Sequence, residues 1–98
     1  MADVKSLYER MRATPWPVLA SRVGDFALYE SLLAGCADRI VRGGLSDVSK
    51  IPTPDEETVA TVNKWLARGE RSTEEEKFLE YFDLLEELRL LLVGQSKR

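Results

Sequence analysis

The chain has 98 residues, of which 44% are hydrophobic and 32% charged, and a formal net charge of −3. That length suits a single domain burying roughly 60–70% of its unfolded surface, and the composition is that of a globular chain rather than a disordered or membranous one. With no histidine and one cysteine, Cys36, the commonest general base, the commonest transition-metal ligand, an internal disulfide and the usual structural zinc site are all excluded.

From Asp3 to Ala13 the residues Val4, Leu7, Tyr8 and Met11 recur at i, i+3, i+4, i+7, which predicts a short amphipathic helix over 3–13. Thr14-Pro15-Trp16-Pro17 ends it, because each proline disfavours helical dihedrals in the residue before it. A brief turn is expected over 17–22. Trp16, fixed between two prolines, reads either as a lid on the core or as a rigid aromatic anchor for a partner protein. Gly24 and Asp25 mark a break and an N-cap before a long helix over 25–42. Its apolar face is Phe26, Tyr29, Leu32, Leu33, Cys36, Ala37 and Ile40, stopped by Gly43-Gly44.

The connection Gly43–Pro52 is expected to be tacked to the core by Leu45, Val48 and Ile51. Thr53, Pro54 and Glu56 then predict a third helix over 54–68, with Thr53 as N-cap and Val59, Val62 and Leu66 as its inward stripe. Ser72 and Glu75 form a second capping box, opening a fourth helix over 73–93. That last helix carries the widest apolar arc. At 100° per residue Phe78, Phe82, Leu85 and Leu92 lie on one line, with Tyr81, Leu84, Leu88 and Leu91 beside it. Glu76, Glu80, Asp83 and Glu87 share the remaining strip.

These elements predict one all-α domain, a small bundle of antiparallel helices with long second and fourth members. A first helix of roughly ten residues is only about 15 Å long, too short to cover the fourth. The exposed remainder, Tyr81, Leu84, Leu88 and Leu91, is therefore expected to be a homodimer interface. Glu30 and Arg89 fall on apolar faces, which suggests a partly buried ion pair setting helix register.

No P-loop, G-x-S-x-G or Glu-x-x-His pattern is present, so no catalytic, metal or cofactor site is expected. Trp65 to Ser72 resembles a helix-turn-helix turn, but Thr73-Glu74-Glu75-Glu76 would then meet the phosphates and be repelled by them. The acidic balance points the same way, and a nucleic-acid regulator with a dimeric patch of Lys5, Arg10, Arg12, Arg39 and Arg42 is the alternative reading. The first reading is a non-enzymatic interaction module, an adaptor, regulator or inhibitor, binding itself and another protein. With no apolar run of ~18–20 residues and no apolar leader, a cytoplasmic setting without membrane contact is expected.

Overall fold

A computed structural model describes residues 3–43 and 51–96. Among these residues four helices form as the periodicities require: α1 over Val4–Ala13, α2 over Phe26–Val41, α3 over Glu56–Ala67 and α4 over Thr73–Ser96, with a 3₁₀ turn at Val18–Ser21 between α1 and α2. The described residues contain no strand. The helices pack as a small bundle in which α1 lies against both α2 and α4. Phe26 near the start of α2 meets Phe78 near the start of α4, at 4.7 Å between ring centroids. About one turn further along α2 and two along α4, Tyr29 reaches Glu86, so α2 and α4 run in the same sense, as alternate members of an up-down bundle do.

The caps explain where the helices begin. Asp3 accepts the Ser6 N–H at 2.8 Å to open α1. Ser72 and Glu75 form the reciprocal box at α4: the Ser72 N–H donates to Glu75 Oε1 at 2.8 Å and the Glu75 N–H to Ser72 Oγ at 3.2 Å. Those bonds from Ser72, with help from the Arg68 guanidinium, hold the Glu75 carboxyl below its ordinary pKa. Arg71 Nη1 donates to the carbonyls of Trp65 and Arg68, satisfying the end of α3. The Trp65–Ser72 segment is thus the turn of a helical hairpin. α4 does not stop at Gly94 but continues to Ser96, since a glycine weakens a helix without ending it.

α3 starts later than the sequence suggests, and the reason lies in a junction with the start of α2. Its N-cap is Asp55, not Thr53. Asp55 Oδ2 accepts the Thr58 N–H at 3.1 Å, and Oδ1 accepts both the Thr58 hydroxyl at 2.5 Å and the Asp25 N–H at 3.2 Å. Thr58 Oγ1 also lies 3.3 Å from the Val23 carbonyl, so this fully buried threonine links the two helix starts. Burial opposes charge on Asp55, but the hydrogen bonds from Thr58 and Asp25 outweigh it and hold the carboxyl below its ordinary pKa. Asp25 is the N-cap residue of α2, yet its side chain makes no capping bond.

Tying Thr58 inward turns α3 on its axis. Thr58, Val62 and Trp65 face the bundle, Trp65 making a perpendicular ring contact with Phe78 at 5.6 Å. Val59 and Leu66, expected to point inward, are instead 37% and 57% exposed.

The surface assigned to a second copy is filled by the chain itself. Tyr81, Leu84 and Leu88 are buried in the core, and Leu91 is half-buried against it. The short α1 does not cover α4 alone, because the 3₁₀ turn and α2 also pack against it. Among the other expected core residues, Leu33, Cys36 and Ala37 of α2 are buried, while Leu32 is half exposed. Ile51 packs against the core; Leu45, Val48 and the tail at 97–98 lie outside the described residues.

Candidate functional site

The side chain that stands out is Trp16. Thr14 leaves α1 in an extended conformation, its N–H and hydroxyl both bonded to the Arg10 carbonyl. Pro17, with φ −65° and ψ 141°, carries the chain into the 3₁₀ turn. The tryptophan between the prolines is 44% exposed. Its inner side rests on Phe26 and Tyr81, with ring centroids 6.1 and 6.0 Å away. The side chain thus closes the aromatic core at Phe26 and Tyr81 while a good part of the residue stands in solvent.

Trp16 is also the shared wall of two clefts. One, of about 540 Å³, runs between α1 and α2, floored by Ala34 and Gly35 and lined by Arg12, Glu30, Asp38 and Arg42. Two small residues on one turn of α2 leave that room. The other, of about 370 Å³, lies between Thr14–Val18 and α4, with Leu84 at its base and Arg10, Lys77 and Glu80 around it.

Hydrogen bonds fix the walls. The Tyr81 hydroxyl donates to Glu30 Oε2 at 2.9 Å, and the Tyr8 hydroxyl to Asp38 Oδ1 at 3.2 Å. Arg42 pairs with Asp38 at 3.1 Å, and the Arg12 guanidinium sits 5.7 Å from the centre of the Tyr8 ring. On the other side of the α2–α4 contact the pattern reverses. The Tyr29 hydroxyl donates to Glu86 Oε2 at 2.6 Å, and Arg89 pairs with the same carboxylate at 3.1 Å. Each helix thus gives one tyrosine and receives one on a glutamate. The suggested Glu30–Arg89 pair is replaced by these two links: the ion pairs among the described residues are Arg42–Asp38, Arg68–Glu75 and Arg89–Glu86. Tyrosine reaches across more readily because it brings a neutral donor, which is cheaper to bury than an arginine charge.

Burial first, then the hydrogen bond to and charge of the neighbouring glutamate, push the pKa of both Tyr29 and Tyr81 well above the ordinary value of 10. The phenols are donors that must stay protonated. A raised pKa in the folded state means their contribution to stability is complete below pH 10 and is lost as the pH climbs above it. Alkaline titration followed by circular dichroism is expected to show lower stability above pH ~10, and the Tyr29→Phe/Tyr81→Phe double variant a smaller slope there.

Neither tyrosine is poised as a base. The described residues hold no group of three or more His, Cys, Asp or Glu able to bind a metal ion, and no helix among them is long and apolar enough to cross a membrane. Of the basic residues considered as a patch, four line clefts or hollows. Arg12 and Arg42 line the α1–α2 cleft, Arg10 the cleft beside α4, and Arg39 a third hollow with Leu32 and Pro52.

Compared with protein-family models, curated proteins and solved structures, the chain matches none of them.

Proposed function

We propose that this chain is a small non-enzymatic protein-interaction module, an adaptor or regulator, that seats an apolar side chain of a partner protein against Trp16. The observation that carries this is a tryptophan both 44% exposed and held by two prolines and two aromatic rings. An anchor already fixed in place loses little entropy on binding, which is why such residues dominate interface energetics. Covering the exposed half, on the order of 100 Å², contributes about 2.5 kcal/mol. A second copy of the chain is one such partner, but through this surface rather than the buried face of α4. The lone cysteine suits a reducing, cytoplasmic setting.

The test is quantitative affinity enrichment with wild type and Trp16→Ala side by side. Because half the ring is already solvated, the variant is expected to stay folded, about 2 kcal/mol less stable. Proteins enriched on wild type should be depleted on Trp16→Ala, and sedimentation of the purified chain separates self-association from a different partner. An enriched set that does not change, together with unchanged sedimentation, contradicts the proposal.

A further inference from the structure

The rotation of α3 leaves a second surface that Trp16 does not use. Between α3 and α4 runs a groove of about 350 Å³, with Val62, Leu66, Leu79 and Phe82 as its apolar lining. Leu66 is 57% exposed, and Leu79 and Phe82 are only partly buried. Along α4 the apolar line continues past the groove. At 100° per residue Leu90 falls within about 20° of Leu79 and Glu86 within about 20° on the other side. Leu90 is 61% exposed, and eleven residues of helix place it about 16 Å beyond Leu79.

Beside this line lies the acidic strip of α4. Glu76, Glu80, Asp83 and Glu87 fall within about 60° of one another, directly flanking Leu79 and Leu90. All four are exposed. None takes part in the ion pairs or side-chain hydrogen bonds of the described residues, whereas Glu86 is bound to Tyr29 and Arg89. Among the described residues that line the groove the one cation is Arg71, whose Nη1 is on the carbonyls that end α3.

From this charge pattern we infer that the α3–α4 groove docks a basic amphipathic helix of about three turns from another protein, its apolar side chains on Leu66, Leu79 and Leu90 and its Lys or Arg edge along Glu76–Glu87. The size follows from the ~16 Å line, and the sign from four unpaired carboxylates on one edge. An amphipathic helix presents apolar and charged stripes side by side in just this way. The inference does not depend on the Trp16 reading: the groove shares Glu80 with the cleft beside α4, but Trp16 is not among its lining residues.

The experiment is fluorescence anisotropy of the full chain with a labelled synthetic peptide of about 18 residues built from Leu, Lys and Ala, leucines at i, i+3, i+4 and i+7. A second peptide has the same composition in scrambled order, and a third replaces Lys with Glu. The Lys peptide should bind, with affinity falling as salt shortens the Debye length from about 10 Å to about 3 Å. Asp83→Lys/Glu87→Lys and Leu66→Ser should each weaken it by about tenfold or more, with folding checked by circular dichroism. Trp16→Ala should leave it unchanged. Equal binding of the scrambled peptide would overturn the inference by showing charge attraction alone, and so would indifference to the three substitutions. Loss with Trp16→Ala would overturn it in favour of the other clefts, and self-association abolished by Asp83→Lys/Glu87→Lys would put a second copy in the groove instead.

Discussion

Leu88→Glu is expected to unfold the chain rather than to change its assembly. Leu88 has no exposed surface and lies in one core with Leu7, Leu85 and Leu92. Truncating such a leucine to alanine already costs about 2–5 kcal/mol. A carboxylate in its place must in addition be desolvated or take up a proton, which adds several kcal/mol more. The total reaches the ~5–15 kcal/mol that holds a domain of this size together. Far-UV circular dichroism should show the helical signal largely lost at 25 °C. Leu90→Glu is the matched control two residues along: at 61% exposure it should change stability by no more than about 0.5 kcal/mol. If Leu88→Glu instead keeps its helicity and only lowers the mass in solution, Tyr81, Leu84, Leu88 and Leu91 form an interface between copies after all.

Gly24→Ala is the second large effect, because two separate requirements meet there. The backbone at Gly24 has φ +47°, and an added Cβ would overlap Asp55 Oδ2 and stand 2.5 Å from Thr58 Oγ1. The left-handed conformation costs an alanine about 1 kcal/mol. Displacing Asp55 removes the α3 cap, about 1 kcal/mol more, and takes a hydrogen-bond partner from the buried Thr58 hydroxyl, at least about 1 kcal/mol again. A loss of about 3 kcal/mol should lower Tm by about 12–24 °C. Gly43 separates the two causes. It also has positive φ, +74°, but nothing among the described residues lies within 4 Å of its added Cβ, so Gly43→Ala should lose only the conformational ~1 kcal/mol. Equal shifts in thermal unfolding would mean that the junction with Asp55 contributes nothing.

The helices were legible because periodicity and caps agree along most of the chain. Val4, Leu7 and Met11 are buried as their spacing demands, and the Ser72–Glu75 box forms as read. What the sequence hid were interactions between elements. Thr53-Pro54 is a good local helix start, but Asp55 is chosen because it also accepts the Asp25 N–H at the start of α2, thirty residues away in sequence. Once Thr58 is drawn to the Val23 carbonyl, the stripe Val59, Val62, Leu66 cannot all face inward, and no local pattern reports that rotation. Helix lengths alone understate the burial of α4, since the segment Thr14–Arg22 with its 3₁₀ turn extends the cover beyond α1. Its signal was present in Pro17 and Ala20, both buried. Trp16 between two prolines was legible as a fixed aromatic residue, and its contacts with Phe26 and Tyr81 follow only from the tertiary structure.

The most direct test of Trp16 as a fixed, solvent-facing contact is time-resolved fluorescence of the Trp65→Phe variant, which leaves Trp16 as the sole tryptophan and keeps a ring against Phe78. The indole should be quenched by acrylamide as a half-exposed group, while its anisotropy decays only with the tumbling of the whole protein. A shielded indole would make Trp16 a core residue, and a fast local decay would make it a loose one; either result contradicts a pre-set anchor.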